Sequence, residues 1–340
     1  MHRSLISFVA AAALSVSLPA FAADAPVTLR LSNWLPNGHP IYAAQKAWAD
    51  DIAKESGGSI QLTVFPSEQM GKAFDHYDMA RDGIADITFV NPGFQPGRFP
   101  IIAAGQLPFV FKDAKSGTAA IDEWYRAYAK TEMKDVHYCV SMITSPGIYS
   151  GHKKVVMPGD LKGLKIRPPQ GTIGQMVSLM GGSNIQASTM EAREVLERGT
   201  ADGIFLPAGT ILLIGLEKVT KYHLEPGLYT TVFTFVMNQS KYDALSAEQK
   251  AVIDHHCTTD WAVKLASPWA DFEDAGLVKL HAIAGHEFTT LTTEQTAEWR
   301  KVVAPLKAEW SNAVTKAGGD APAIAKALDD SLAKYNAAAN

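Results

Sequence analysis

The N-terminal half of the chain switches repeatedly between two hydrophobic periods, one typical of strands and one typical of helices. Apolar residues recur at every second position in the predicted strands and at every third or fourth position in the predicted helices. The predicted strands cover residues 27–31, 60–65, 87–90 and 137–143, and the predicted helices cover residues 40–54, 74–81 and 122–130. This strand–helix–strand rhythm indicates an α/β fold with largely parallel sheets.

The same rhythm begins again in the middle of the chain and suggests a second unit. It predicts strands at 164–167, 184–186 and 203–206, and helices at 172–179 and 188–198. The motif Gly83-Ile-Ala-Asp86 in the first unit corresponds to Gly199-Thr-Ala-Asp202 in the second, each between a helix and a buried strand. Glycine at a helix end supplies a left-handed cap. The match favours two similar α/β lobes over a coincidence between ordinary helix ends.

The C-terminal third is predicted to be helical. A capping signal at residues 246–249 begins a helical pattern that reaches about residue 280. A continuous helix of this kind would be on the order of 50 Å long, and we expect Pro268 to kink it. Further helices are predicted from the cap at 292–295 to Trp310 and over 314–335. The long helix needs a surface to pack against, which two lobes side by side would provide.

The first residues have the pattern of a secretory signal peptide. A basic start at Arg3 precedes a nearly uncharged apolar stretch over 5–18, and Ala20-Phe21-Ala22 supplies small residues for cleavage after Ala22. The apolar stretch is shorter than the roughly 20 residues that a membrane span needs, which argues against an anchor. We therefore expect an exported, periplasmic protein.

Composition and charge exclude several classes of protein. The 340 residues are 47% hydrophobic and 19% charged, as in a folded globular chain. The net charge of −4 and the lack of any Lys/Arg run argue against a nucleic-acid partner. Two cysteines, Cys139 and Cys257, are too few for a disulfide-rich scaffold. Export permits a disulfide between them, but two buried free thiols are an equally good interpretation.

Motifs for catalysis are lacking in the sequence. It contains no Gly-x-Ser-x-Gly, no Gly-x-Gly-x-x-Gly, no phosphate-binding loop and no Cys-x-x-Cys. His255-His256-Cys257 has ligand chemistry, but neighbours on a helix point about 100° apart and cannot all bind one ion. A solvated helix face is the better interpretation. We predict a protein that is not an enzyme and has no metal or cofactor.

The loops that follow strands are better candidates for a site, because ligands of open α/β sheets bind at the carboxyl ends of strands. Arg167 is the strongest candidate, since a guanidinium held before two prolines offers a rigid fork to a carboxylate. A surface salt bridge is its ordinary alternative. The other candidate ligand-binding residues are Trp34, His39, Phe74, Asp75, His76, Tyr77, Asn91, Tyr149, Phe205, Leu206 and Pro207.

The stretch Leu161-Lys-Gly-Leu-Lys-Ile-Arg167-Pro resembles the central signature of the solute-binding proteins of TRAP (tripartite ATP-independent periplasmic) transporters. Nearly the whole mature chain shares the resemblance. Its other motifs are Asn37-Gly-His39-Pro40, Gly57-Gly58-Ser-Ile, Phe65-Pro-Ser-Glu-Gln69-Met-Gly71, Gly83-Ile-Ala-Asp86, Leu107-Pro-Phe-Val-Phe111 and Gly199-Thr-Ala-Asp202-Gly203. The resemblance implies two lobes joined by two crossing strands and a long kinked helix, closure on a ligand, and delivery to a sodium-driven membrane partner. It also implies that Arg167 pairs with the ligand carboxylate.

Two departures from the family pattern bear on the ligand. The Gly-aromatic-Arg motif is replaced by Pro146-Gly147-Ile148-Tyr149, and Gln-Glu-Asn-Pro by Ile204-Phe205-Leu206-Pro207. A second carboxylate or a polyhydroxylated tail would then have fewer partners, and an unpaired polar group in a closed pocket costs roughly 1–3 kcal/mol. We therefore expect a small organic monocarboxylate with an apolar or aromatic body. In this prediction Trp34, Phe74, Tyr149 and Phe205 sandwich the body, and Asp75 and His76 serve a hydroxyl or ammonium group.

The predicted organisation is a monomer built from discontinuous lobes. Its parts are a signal peptide at 1–22, lobe I at 23–145 plus about 236–266, lobe II at 146–235 plus about 267–310, the long helix at 246–282 and a tail at 311–340. The hinge is expected near Ser145 and 233–236. The alternatives are the binding protein of an ATP-driven importer, a sensor module, and, less favoured, a secreted hydrolase that uses His39, Asp75 and His76.

Overall fold

The computed structural model describes residues 25–339, so the predicted signal peptide lies outside the described residues. Its strands are β1 (Val27–Ser32), β2 (Ile60–Phe65), β3 (Ile87–Val90), β4 (Val136–Ile143), β5 (Gly147–Gly151), β6 (Lys165–Arg167), β7 (Ser183–Asn184), β8 (Gly203–Leu206), β9 (Tyr222–Tyr229), β10 (Val232–Asn238) and β11 (Glu287–Thr290). They form two sheets, in the orders β2-β1-β3-β10-β4 and β11-β9-β5-β8-β6-β7. The predicted two-lobed α/β fold is confirmed, with one sheet in each lobe.

Helices cover the sheets and connect the lobes. They are α1 (Pro40–Glu55), α2 (His76–Arg81), α3 (Ala114–Glu132), α4 (Gly171–Leu179), α5 (Ala192–Glu197), α6 (Ala208–Leu213), α7 (Gln239–Asp243), α8 (Ala247–His256), α9 (Thr259–His281), α10 (Thr293–Val303), α11 (Pro305–Lys316) and α12 (Ala321–Lys334). None of the helices in the described part of the chain is long and apolar enough to cross a bilayer.

Each sheet combines parallel strands with an antiparallel strand that follows a crossing between the lobes. In lobe I, β1 pairs in parallel with β2 and β3, whereas β10 is antiparallel to β3 and β4. In lobe II, β6 is parallel to β7 and β8, and β5 is antiparallel to β8 and β9. The crossings are at residues 144–146 and at Thr230–Thr231. The sequence placed the second crossing at 233–236, but all seven residues of β10 are buried in the lobe I sheet.

The repeated Gly-x-Ala-Asp motif has the same backbone role in both lobes. In lobe I, the Arg30 N–H donates to Asp86 Oδ2 at 2.8 Å and the Asp86 N–H donates to the Arg30 carbonyl at 3.0 Å. In lobe II, the Lys165 N–H donates to Asp202 Oδ2 at 2.8 Å, and the Asp202 N–H donates back at 2.6 Å. The glycine three residues before each Asp is left-handed, with φ of 72° and 65°. The lobes are therefore similar units.

The predicted long helix consists of two helices rather than one. It breaks between α8 and α9, where Cys257 forms a disulfide with Cys139 across a Cα–Cα distance of 4.5 Å. Thr258 then begins α9 as its N-cap, its side chain accepting from the Trp261 N–H. Pro268, where a kink was predicted, lies inside α9. The disulfide also decides between the two interpretations of the cysteines.

Helix α9 belongs to both lobes. Leu265 and Trp269 are buried in the core of lobe I, whereas Leu280 is buried in a core of lobe II. Against lobe II, α9 lies so close to α6 that a Cβ built on Gly276 would be 2.2 Å from the Cα of Gly209. Only glycine at both positions permits this approach, which fixes α9 to lobe II.

The C-terminal tail returns to lobe I. It ends in α12, which lies within the helix predicted over 314–335, and a break that contains Gly318 at φ 87° separates it from α11. The helix predicted from 292 to Trp310 is instead divided between α10 and α11. Helix α12 packs on α3, where the Trp124 indole donates to the Ile324 carbonyl at 3.1 Å. Helix α10 instead packs in lobe II through Trp299, which is fully buried.

Candidate ligand-binding site

A narrow cavity with a volume of about 20 Å³ lies between the lobes, whose facing walls are therefore close together in this structure. Lobe I contributes Trp34, Leu35, Asn91, Phe94 and Phe233 to its lining. Lobe II contributes Arg167, Pro169, Thr189, Leu206, Pro207 and Thr210. The crossing strands add Thr144 and Thr231, and α9 adds Trp269. Two larger grooves open on either side of this cavity, but Arg167 lines neither of them.

Arg167 is a buried cation with an unused donor. It ends β6 and is 1% exposed. Its Nε donates to the Ala187 carbonyl at 2.9 Å and its Nη2 lies 3.5 Å from Thr189 Oγ1. Its Nη1 has no hydrogen-bond partner among residues 25–339. Burial lowers the pKa of Arg167 to about 10, which keeps it charged at neutral pH. Glu191 attracts this charge but forms no ion pair with it within the described chain, so the buried guanidinium favours an anion beside it.

Aromatic rings form the wall from lobe I and α9. The Trp34 ring lies 5.8 Å from that of Phe94 and 5.9 Å from that of Phe233. Phe233 in turn lies 5.3 Å from Trp269. The Trp34 indole N–H donates to the Phe89 carbonyl at 3.0 Å, so its polar atom is already bonded and its ring offers an apolar surface. The wall therefore suits a flat apolar or aromatic body.

A buried carboxylate holds two lining residues in place. Glu273 of α9 accepts from the Trp269 indole Nε1 at 2.7 Å and from the Thr210 backbone N–H at 3.0 Å, and it also accepts from the Thr210 hydroxyl. Desolvation by burial raises the pKa of Glu273. Sequence analysis missed Glu273, Trp269, Phe233 and the threonines. The four-residue spacing of Trp269 and Glu273 on a helix is the one signal that could have linked them.

Residues 31–313 match the protein family described as DctP, bacterial extracellular solute-binding protein, family 7. The chain belongs to this family. Its members are non-enzymatic components of transport systems that bind small organic ligands and work with membrane subunits. The family membership predicted from the sequence is confirmed.

Several solved structures of TRAP solute-binding proteins are similar to this chain over nearly their whole length. One from Rhodoferax ferrireducens, in complex with copurified benzoate, is 27% identical with a TM-score of 0.85, and the match covers 91% of this chain and 98% of that one. One from a marine metagenome, with 3-hydroxybenzoate, is 29% identical with a TM-score of 0.85 and coverages of 92% and 99%. One from Bordetella bronchiseptica, with (R)- and (S)-mandelate, is 28% identical with a TM-score of 0.85 and coverages of 91% and 99%.

Five of the residues predicted for the site of this TRAP solute-binding protein line the cavity. They are Trp34, Asn91, Arg167, Leu206 and Pro207. Asn91 and Pro169 also join the two lobes, since Asn91 Nδ2 lies 3.4 Å from the Pro169 carbonyl. The structure therefore brings the predicted cation and one predicted ring to the same cavity.

Phe205 and Tyr149 lie behind the cavity, in the core of lobe II. Successive residues of a strand face opposite sides, so Phe205 faces away from the cavity that Leu206 lines. The Phe205 ring lies 5.7 Å from that of Tyr149, whose hydroxyl donates to the Lys153 carbonyl at 2.9 Å. Neither ring lines the space in which the sequence placed the ligand body.

His39 lies one layer behind the cavity wall. Its Nδ1 accepts from the Ile41 N–H at 3.2 Å as the N-cap of α1, and its ring meets Trp269 edge-on at 4.5 Å. Desolvation by burial lowers the pKa of His39 to about 3, so the ring is neutral at neutral pH. Its role in this position is to support Trp269.

The segment 74–77 also lies outside the cavity. The Phe74 ring packs at a tilt of 42° against that of Phe94, with 4.6 Å between the ring centres, and both residues line a groove beside the cavity. Asp75 is exposed. His76 is fully buried, with Nε2 3.0 Å from Ser32 Oγ. Tyr77 packs on Phe99 at 4.7 Å in the core of lobe I. The hydroxyl-binding role predicted for Asp75 and His76 therefore has no support from their positions.

Proposed function

We propose that this protein is a periplasmic solute-binding protein that captures a small aromatic monocarboxylate and delivers it to the membrane subunits of a sodium-driven TRAP transporter. The observation that carries the proposal is the buried guanidinium of Arg167. It lines a cavity with one aromatic wall and leaves Nη1 unpartnered within the described residues. A bidentate carboxylate would satisfy this donor, and the rings would cover the rest of the ligand.

The charge of the cavity supports a single carboxylate. Among the residues that the structure describes, Arg167 is the one ionisable side chain in the cavity lining. A second carboxylate would lose its hydration without gaining a cation, at a cost of several kcal/mol. The bound benzoate, 3-hydroxybenzoate and mandelate of the three similar structures support an aromatic acid.

Closure of the lobes is the proposed mechanism. Arg167 and Thr189 come from lobe II, whereas Trp34 and Phe94 come from lobe I, so the complete site exists when both lobes meet. A ligand that touches both lobes binds the closed form better than the open form and thereby shifts the population toward closure. Closure excludes water, which strengthens the contact between the carboxylate and Arg167.

The test is calorimetric titration of Arg167→Ala with benzoate, 3-hydroxybenzoate and D-glucuronate. Wild-type protein should bind at least one of the aromatic acids, and Arg167→Ala should lose that binding while keeping its circular dichroism spectrum. Arg198→Ala is the matched control, because Arg198 lies in the same lobe but is exposed and pairs with Glu194 at 2.9 Å. Unchanged affinity in Arg167→Ala, or binding of D-glucuronate in preference to both aromatic acids, would contradict the proposal.

Three further parts of the proposal need separate measurements. N-terminal sequencing of the periplasmic fraction should give a chain that begins after Ala22. Light scattering with size-exclusion chromatography should give the mass of a monomer. Mass spectrometry of the bound ligand after long incubation should recover it unchanged, whereas turnover would favour the hydrolase interpretation.

A further inference from the structure

The two crossing strands place a pair of threonines on the cavity wall. The Thr144 N–H donates to the Thr231 carbonyl at 3.1 Å, and the Thr231 N–H donates to Thr144 Oγ1 at 3.1 Å. Both residues are 4% exposed. Their neighbours Ser145 and Thr230 line the groove on the opposite side of the crossing. The alternation of the extended chain therefore directs Thr144 and Thr231 toward the ligand space.

These two hydroxyls have unused hydrogen-bonding capacity. Thr144 Oγ1 accepts one N–H, but its own proton has no acceptor within residues 25–339. The Thr231 hydroxyl makes no hydrogen bond to a described residue and, on a side chain that is 4% exposed, keeps some access to the cavity. The hydroxyls of the other two lining threonines already have partners, because Thr210 donates to Glu273 and Thr189 lies beside Arg167.

Closure of the lobes gives the unused hydrogen-bonding capacity of these hydroxyls an energetic cost. In the open cleft, water can satisfy both hydroxyls. When the lobes close and water leaves, each unpaired hydroxyl costs free energy unless the ligand replaces the lost water. The aromatic rings in the cavity lining offer no strong acceptor. A purely apolar ligand body would therefore leave Thr144 and Thr231 unsatisfied.

We infer that Thr144 and Thr231 bind a hydroxyl group on the ligand body, which makes a hydroxylated aromatic monocarboxylate the preferred ligand class. The ligand oxygen accepts the proton of Thr144, and the ligand hydroxyl donates to Thr231 Oγ1. This inference rests on the proposed function, in which Arg167 holds the carboxylate. It assigns to the crossing strands the role that the sequence gave to Asp75 and His76.

The location of the pair gives it a second consequence. Both threonines lie at the crossings, where the chain passes between the lobes, and they are bonded to each other. A ligand hydroxyl bound there contacts the connection between the lobes as well as their facing surfaces. The contact is complete in the closed form, so the hydroxyl adds to the preference of the ligand for closure.

The test is calorimetric titration with matched ligands. The first series is benzoate, the three monohydroxybenzoates and the three monofluorobenzoates, and the second is phenylacetate and mandelate. In wild-type protein, at least one hydroxylated acid should bind about tenfold tighter than its parent and its fluoro analogue, because a site built for a hydroxyl penalises its absence. Thr231→Val and Thr144→Val should each reduce that preference, which is measured as the ratio of the affinities for the hydroxylated acid and its parent.

Two further variants act as controls. Thr234→Val changes a buried threonine on β10 whose Oγ1 also has no partner in the described chain but which lies away from the cavity, and it should leave the preference intact. Thr231→Ser keeps a hydroxyl at position 231, unlike Thr231→Val, and should therefore keep the preference for the hydroxylated acid. Its result also decides the case if a valine variant fails to fold.

The outcomes separate this inference from the proposed function. Binding of benzoate or phenylacetate with no gain for any hydroxylated acid would overturn the inference and leave the proposed function standing. A preference that survives both valine variants would overturn it as well. If wild-type protein binds none of the acids in either series, this result would contradict the proposed function itself.

Discussion

The carboxylate of Glu273 accepts a hydrogen bond from the Trp269 indole at 2.7 Å, and both residues lie on α9. The same carboxylate bonds the backbone and side chain of Thr210 on α6. One buried group thus fixes a wall of the cavity to lobe II. Its position explains how a helix shared by two lobes can hold a ligand-facing ring in one orientation.

We expect Glu273→Gln to weaken binding of the aromatic acid about tenfold. The amide has the shape of the carboxyl group but replaces one acceptor with a donor, so at least one of its three bonds is lost, at about 1–3 kcal/mol. Titration calorimetry and urea unfolding would measure the two effects. Asp271→Asn is the control, because Asp271 lies on the same helix but is 66% exposed at its side chain. Equal effects of the two variants would contradict the assigned role.

Acid should destabilise the protein through His39. The pKa of His39 is 6.5 in the unfolded chain, and burial lowers it to about 3 in the folded protein. The stability that the neutral ring contributes is therefore complete above pH 6.5. That stability is lost as pH falls from about 6.5 toward 3, by up to about 1.4 kcal/mol per pH unit for one proton. Protonation also removes the acceptor that caps α1 at the Ile41 N–H.

The variant His39→Asn tests this pH dependence. Asparagine keeps a capping acceptor and does not titrate, so urea unfolding between pH 7 and pH 4.5 should show a shallower loss of stability than wild type. His223, whose pKa is also lowered to about 3 by burial, should retain its own contribution in that variant. Parallel curves for wild type and His39→Asn would exclude His39 as a source.

Removing the disulfide should cost stability and spare binding. Cys139 and Cys257 close a loop with a sequence separation of 118, for which chain entropy predicts a loss of about 4–5 kcal/mol in the double alanine variant. Both cysteines lie in the lobe I core, away from the cavity lining. Urea unfolding should show the loss, and calorimetry should show affinity within about twofold of wild type. A large loss of affinity would mean that the bond also positions the site.

The two repeated aspartates should differ in their energetic contributions. Asp86 is 2% exposed and accepts both the backbone N–H and the Nε of Arg30, the latter at 2.9 Å. Asp202 is half-buried and accepts the backbone N–H of Lys165. We expect Asp86→Asn to lower the free energy of unfolding by about 2–3 kcal/mol and Asp202→Asn by about 1 kcal/mol. Urea unfolding of the two variants would give the comparison, and a reversed order would refute it.

Much of the fold follows from local pattern. Strands β2, β3 and β8 lie where period-two alternation or a short buried run placed them, because these signals depend on residues near in sequence. The disulfide at the break between α8 and α9 joins Cys257 to Cys139, which is distant in sequence, so periodicity alone could not indicate this bond. The second crossing was misplaced because the apolar run of β10 is compatible with a central strand of either sheet.

The site was harder to predict than the fold. Arg167 and Trp34 line the cavity at strand ends, where the general rule for α/β sheets placed them. For the continuous apolar run of β8, the sequence does not show which residues face the ligand, so Phe205 was named together with Leu206. Trp269 comes from a helix that enters the site from the far end of the chain, and only tertiary packing brings it there.

The shared helix α9 also limits how such receptors can be recombined. Each lobe is assembled from several separate stretches of the polypeptide, and α9 contributes side chains to both interiors. A chimera that joins one lobe to the partner lobe of a relative would need several splice points and would have to inherit the Gly209–Gly276 contact intact. Altered ligand preference is therefore more readily reached by point changes in the lining than by exchange of whole lobes.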